Sequence, residues 1–300
     1  MSNPPSRPSR RIAVIGVGIM GSAMARRWLE CGHSMHLYNR SPDKLAPLVA
    51  LGARAALSAA DAADGCEFVV TCLNSASIVR EAVFGEAGAA QRMDARSVLI
   101  DMSSIDPPST RRLAADLEAR CGAQWVDAPL SGGASKALLG QLTVMAGGSE
   151  EAFAHAREVM QDMCANYTHM GPSGAGQVTK LVNQVLCALG AQAVAEAVRL
   201  AEAGGVDATR LTAALAGGRA DSSILREFGP QMAARQTPPS GALVNMLKDL
   251  EGVQALAQAS RLPLPLTSTV ADLYRSFVAA GMGQAPTSAV IGQFDGFRGL

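Results

Sequence analysis

No charge of one sign prevails in this 300-residue sequence: 26 lysines and arginines stand against 26 aspartates and glutamates. Without a basic stripe there is no electrostatic footprint for nucleic acid or an anionic membrane surface, and neither is expected as a partner. No apolar stretch is expected to reach the roughly 18 residues that span a bilayer. The 6 cysteines (Cys31, Cys66, Cys72, Cys121, Cys164 and Cys187) form no C-x-x-C pair and have no histidine at ligand spacing. They therefore read as buried thiols in a reducing, cytoplasmic setting, with no metal site implied. What the chain does have is apolar content, 48% over its length, enough for a large core and roughly two domains.

The most informative stretch is RIAVIGVGIMGSAMARRW, from Arg11 to Trp28. Ile12 to Ile15 have the character of a strand buried on both faces, and Gly16, Gly18 and Gly21 follow in G-x-G-x-x-G spacing before a helix pattern starts. In a dinucleotide site the first glycine permits the tight turn. The second lets a diphosphate approach the backbone, and the third lets the helix pack close to the sheet. The N–H groups at that helix start, around Gly16, Val17, Gly18, Ile19, Met20 and Gly21, then face the phosphates. An export signal is the competing reading of a basic leader before an apolar run, but three glycines interrupt the run and strand and helix patterns continue behind it. Residues 1–10 read as a disordered leader.

The second strand, ending at Tyr38, selects the cofactor. An acidic residue about 20 positions on holds the ribose hydroxyl of NAD, whereas an arginine accommodates the 2′-phosphate of NADP. Here Asn39, Arg40 and Ser41 occupy the position and the first carboxylate is Asp43. This favours NADP over NAD, with Arg40 as a solvated loop charge the plainer alternative. Further short strands at Glu67–Cys72 and Ser97–Asp101 alternate with helices, giving a doubly wound parallel sheet with its ligands at the carboxyl ends of the strands. The loops Leu73-Asn74-Ser75 and Met102-Ser103-Ser104 then serve either as donors to the cofactor or as caps for the helices behind them.

A strand ends near Pro129, and Ser131, Gly132 and Gly133 follow as either an anion nest for a substrate carboxylate or an ordinary turn. Further strands are expected at Gln141–Ala146 and Ala165–Met170, around a helix at Glu150–Met163. A long alanine-rich helix then begins near Gly174, with Gly176, Lys180 and Asn183 on one face. Beside a ligand the lysine is a tunable acid and base; on an exposed face it is only a solvated charge. The rest reads as helices at Asp207–Leu215, Ser222–Ala234, Ala242–Ala259 and Pro265–Ala280. The expected organisation is α/β followed by all-α. A Rossmann domain over 11–172 is joined by the long helix to a helical substrate and oligomerisation domain over 173–296.

Four motifs in order, GVGIMGSAMA, DAPLSGG at 127–133, GAGQVTKLVNQ at 174–184 and KDL at 248–250, make the chain resemble the β-hydroxyacid dehydrogenase family. That family includes 3-hydroxyisobutyrate dehydrogenase, tartronate semialdehyde (2-hydroxy-3-oxopropionate) reductase, threonate dehydrogenase and, more distantly, 6-phosphogluconate dehydrogenase. The likeness covers about residues 11–292 and is nearest the tartronate semialdehyde reductase branch, through LIDMSSI, VTKLVNQV, GGRADSSIL and LPLTSTV. The resemblance implies that Lys180 is the catalytic acid and base and that Asn183 holds the lysine and the substrate oxygen. It implies a carboxylate site at Ser131, Gly132 and Gly133, cofactor contact by Leu73, Asn74 and Ser104, and closure of Lys248 over the nicotinamide. It further implies a small carboxylate substrate, no metal, and a homodimer or homotetramer through the helical domain. A non-catalytic NADP-binding scaffold is the rival from another class, and an imine reductase the rival on the same fold. Three positions depart from the family pattern: Asn74 replaces a proline, Arg27 an asparagine and Pro286 an aspartate.

Overall fold

The structure is a computed structural model that describes residues 8–238 and 241–295. It divides into two compact units, one up to Lys180 and the other from Leu181. Residues 1–7 of the expected leader and residue 296 of the expected helical domain lie outside the described residues. Ser9 and Arg10, the last residues of that leader, are held to the fold. The Ser9 hydroxyl donates to the Gly32 carbonyl at 2.8 Å, and the Arg10 guanidinium pairs with Glu67 and Glu158.

The first unit is built on one sheet. Strands β1 (Arg11–Ile15), β2 (Ser34–Tyr38), β3 (Arg54–Ala55), β4 (Phe68–Thr71), β5 (Val98–Asp101) and β6 (Gln124–Asp127) lie parallel in the order β3-β2-β1-β4-β5-β6. Each apolar strand divides its residues between two cores, as a side-chain period of two requires. Ile12, Val14, Phe68, Val70 and Ile100 face one core, completed by Met24 and Trp28 of α1 (Ile19–Glu30). Ala13, Ile15, Val69 and Leu99 face the other, with the short α3 (Ala59–Ala63) and α4 (Ala76–Phe84), and with α5 (Pro107–Cys121), numbering α2 (Ala46–Val49) between α1 and α3. The region expected as one helix from Pro42 is a 3₁₀ turn, Pro42–Leu45, running into α2.

Beyond β6 the sheet is no longer all-parallel. After the two-residue β7 (Leu130–Ser131) and α6 (Gly133–Leu138), strand β8 (Leu142–Gly147) runs antiparallel to both β6 and β7. Strand β9 (Cys164–Gly171) follows α7 (Glu150–Met160) and pairs parallel with β8. The doubly wound parallel sheet expected from the sequence therefore carries a mixed edge. β7 continues the direction of β6, since Asp127, Leu130 and Ser131 face Gly147, Val144 and Thr143 in one register, and the connection from β7 to β8, which holds only the short α6, is too short for the crossover that a parallel strand needs.

Helix α8 (Ala175–Ala203) contains the boundary between the units. Contrary to the expectation that no apolar stretch is long enough, it is apolar enough by length and composition to cross a membrane; Ala188, Ala191, Ala195 and Val198 on it are fully buried, as in the core helix of a folded unit. The second unit adds α9 (Leu211–Leu215), α10 (Ser223–Ala233), α11 (Leu243–Ala259) and α12 (Pro265–Phe277) around a core that includes Leu243, Leu250, Tyr274 and Phe277. Ser222 caps α10, its hydroxyl accepting from the Leu225 N–H at 3.1 Å. Pro286 pairs with Ala242 in an isolated antiparallel bridge, which fastens the chain after α12 to the start of α11.

Candidate active site

The carboxyl ends of β1, β2, β4, β5 and β6 bring together most of the residues singled out from the sequence. At β1, Gly16 adopts φ +102, and a Cβ there would collide with the Cys72 carbonyl and the Leu73 side chain. A Cβ at Gly21 would collide with the Gly16 carbonyl, so α1 sits directly on the turn. Over Gly18 a Cβ would meet nothing within 4 Å, and no side chain caps α1 at that residue. An open approach over the middle glycine, at an uncapped helix start next to an 84%-exposed Ile19, is the cradle a dinucleotide diphosphate fits. Val17 is buried beneath this surface and Met20 is half-buried on α1.

Asn39 is used by the protein itself. Its Oδ1 accepts from the Val17 N–H at 3.0 Å and its Nδ2 donates to the Ser41 carbonyl at 3.0 Å, so it braces the glycine turn against the end of β2. Arg40 and Ser41 are exposed beside it, and Arg40 makes no ion pair among the described residues. At β4, the Leu73 N–H donates to the Ser103 hydroxyl at 2.9 Å, Asn74 is exposed, and Ser75 caps α4. Of the two open readings of these loops, Ser75 and the buried Ser103 thus serve the fold, while Ser104 is half-buried one residue further on. Arg27, a departure from the family pattern, has a structural partner: its Nε donates to the Asp162 carbonyl at 3.0 Å.

The end of β6 supplies the second half. Gly132 and Gly133 take φ +129 and +70, side by side at the start of α6, with Ser131 in β7 before them. Lys180 of α8 is half-buried, and its Nζ donates to the Leu130 carbonyl at 2.8 Å. The amine expected near the substrate thus lies against the chain one residue before Ser131.

Two carboxylates beneath this region went unassigned in the sequence. Asp101 and Asp127 are register partners at the ends of β5 and β6, both fully buried. Asp101 Oδ1 accepts from the Thr71 hydroxyl at 2.8 Å and the Ser103 N–H at 3.1 Å, whereas its Oδ2 has no partner among the described residues. Asp127 accepts from the N–H groups of Gly174 and Gln177 at 2.8 and 3.0 Å. Burial pushes both carboxyls up to about 6, against hydrogen bonds that hold them down. An acid closing a strand that is otherwise apolar, as in SVLID and QWVD, is the signal that marks them.

In the second unit, Asn183 is half-buried and its Nδ2 donates to Gln184 Oε1 at 2.9 Å. Gln184 in turn donates to Asp249 Oδ2 at 2.5 Å, and Lys248 pairs with Asp249 Oδ1 at 3.3 Å. The KDL segment therefore contributes a buried anchor, Asp249, as well as the exposed lysine. Its signal is an acid between Leu247 and Leu250, which line the buried face of α11. Among the described residues no group of three or more His, Cys, Asp or Glu gathers to hold a metal.

Comparison with known proteins finds relatives for both units. A family model for the NAD binding domain of 6-phosphogluconate dehydrogenase matches residues 11–171, and one for the NAD-binding of NADP-dependent 3-hydroxyisobutyrate dehydrogenase matches residues 174–294. The 2-hydroxy-3-oxopropionate reductase of Escherichia coli is 34% identical, over 94% of this chain and 96% of its own. The NAD-dependent L-serine dehydrogenase of Pseudomonas aeruginosa is 33% identical, over 97% and 99%. Among solved structures, Mycobacterium tuberculosis 3-hydroxyisobutyrate dehydrogenase with L-serine matches with a TM-score of 0.87 at 29% identity, over 96% of this chain and 99% of that one.

Proposed function

This chain belongs to the 3-hydroxyisobutyrate dehydrogenase family of β-hydroxyacid oxidoreductases, and from that premise we propose that it transfers hydride reversibly between NADP and a short 3-hydroxy acid or its semialdehyde. Tartronate semialdehyde and glycerate are the first-choice pair, in keeping with the reductase relative from Escherichia coli; 3-hydroxyisobutyrate and threonate are the alternatives. The enzyme is an oxidoreductase acting on a CH–OH group with a nicotinamide cofactor. The dinucleotide is held by the Gly16 to Gly21 turn, with Arg40 and Ser41 at its adenosine end, and with Leu73, Asn74, Ser104 and Lys248 assigned to the rest of it.

The observation that carries the reading is the seat of Lys180, half-buried with its amine at 2.8 Å from the Leu130 carbonyl. When bound, the nicotinamide gives or takes the hydride. Lys180 supplies the matching proton, protonating the substrate carbonyl oxygen in reduction and taking the hydroxyl proton in oxidation. Ser131 and the N–H groups of Gly132 and Gly133 bind the substrate carboxylate, and Asn183 completes the hold on the reacting oxygen. A scaffold without catalysis would not need Lys180, Asn183 and the Ser131 to Gly133 segment together, which weighs against that rival. The same reading includes a homodimer or homotetramer through the helical unit, where Val182, Leu186 and Leu200 of α8 are 55%, 65% and 76% exposed.

The test replaces Lys180 with alanine. NADPH should still bind, read as quenching of protein fluorescence, while turnover falls by about 10²–10⁴, the usual worth of a general acid. Unchanged turnover would remove the lysine from the chemistry. A panel of tartronate semialdehyde, 3-hydroxyisobutyrate, threonate and L-serine against both cofactors, followed at the nicotinamide absorbance, ranks the substrates.

A further inference from the structure

Asp127 has no part in the chemistry above, yet the geometry around it converges on the lysine. Its carboxylate accepts the N–H groups of Gly174 and Gln177, at the start of α8, where backbone donors lack intrahelical acceptors and the helix dipole favours an anion. The slot for it is kept open by two residues without side chains. A Cβ at Gly147 would lie 2.7 Å from Asp127 Oδ1, and one at Gly176 would lie 2.8 Å from Oδ2.

Gln177 secures the same turn with its side chain, which donates to the Ser103 carbonyl at 2.8 Å and accepts from the Ile105 N–H at 3.3 Å. Lys180 follows one helical turn later on the same face, and its amine returns to Leu130. The segment from the end of β6 to β7 and the start of α8 are therefore joined by two rungs, Asp127 to Gln177 and Leu130 to Lys180, with the same spacing on both segments. All four residues belong to the first unit.

We propose that Asp127 is the positioning residue for Lys180: it clamps the first turn of α8 to the end of β6 and so sets the amine against the Leu130 to Gly133 segment. The inference rests on the role proposed for Lys180. Asp127 touches neither substrate nor cofactor in this scheme; it fixes the distance over which the lysine works.

Asp127→Asn preserves the shape but sets an amide donor against one of the backbone donors. The expected result is a fall in kcat of about 10- to 100-fold, the scale of a displacement of about 1 Å at a reacting group. The substrate KM and the NADPH fluorescence titration should stay within about threefold, and unfolding should remain cooperative. The deciding measurement is the double variant. If Asp127 acts through the lysine, adding Asp127→Asn to Lys180→Ala lowers kcat by no more than about twofold. An equal fold-loss in both backgrounds, or an unchanged kcat in the single variant, overturns the proposal. If Lys180→Ala alone keeps wild-type turnover, the role of the lysine fails instead, and the two failures are told apart. Should Asp127→Asn fold poorly, Asp127→Ser, which keeps one acceptor, passes through the same cycle with the same two outcomes.

Discussion

Arg40 stands exposed beside the brace that Asn39 makes between the glycine turn and Ser41. A guanidinium in that place grips a 2′-phosphate in a bidentate fashion, and a carboxylate would instead accept from a ribose hydroxyl and repel the phosphate. Arg40→Asp should therefore raise the kcat/KM ratio of NAD over NADP by about tenfold or more, equivalent to about 1.4 kcal/mol of discrimination. Wild-type enzyme that already prefers NAD would contradict the assignment. At this scale, the sequence marks Lys180 and Ser131 to Gly133 as candidates because each sits in a local pattern whose spacing has a geometric meaning, and the structure sets the Lys180 amine against the Leu130 carbonyl, one residue before Ser131. Asp101, Asp127 and Asp249 were not given roles. An acid at a strand end reads locally as a loop charge, and the partners of Asp127 arrive from residues 47 and 50 positions later. Only the closed fold puts those N–H groups within its reach.

The turn between β1 and α1 tests whether its three glycines do different things. Gly18 has φ −84, a conformation open to any residue, and free space above it. Gly18→Ala should fold as the wild type does but weaken NADPH binding by about tenfold or more, because the new methyl occupies the diphosphate's approach. Gly21→Ala forces a methyl into the Gly16 carbonyl and should lower stability by about 1–3 kcal/mol, as overpacking does. Fluorescence titration and urea unfolding of the two variants separate these effects. Elements with their own periodic signal, such as β1, β4, β5 and the long helices, could be read from the sequence to within a few residues. The antiparallel return of β8 could not, since strand direction is set by which neighbour it meets. Nor could the 3₁₀ start at Pro42, where the second proline, Pro47, sits at the head of α2 rather than inside a longer helix.

For the molecule as a whole, the buried Asp101 and Asp127 make stability depend on pH in a defined direction. Their carboxyls titrate near 6, above the ordinary carboxylate value, chiefly through burial. Between about pH 4 and 6 the folded protein holds protons that the unfolded chain has released, so stability is greatest at the acid end of that window and falls as pH rises through it. The Arg235 guanidinium beside Glu202, which holds that carboxyl below its ordinary value, acts in the opposite sense, and its contribution is lost on acidification below the window. Asp101→Asn should flatten the decline between pH 4.5 and 6.5 by up to about 1.4 kcal/mol per pH unit, the limit for one proton. Urea melts across that range would show it, and a slope identical to the wild type's would not fit. The uninterrupted course of α8 from Ala175 through Lys180 to Ala203 has a consequence for recombination. A chimera joined immediately after position 180 takes the proposed proton donor, Lys180, from one parent and Asn183 and Lys248 from the other, so recombination at this point separates Lys180 from Asn183, its neighbour on a single helix.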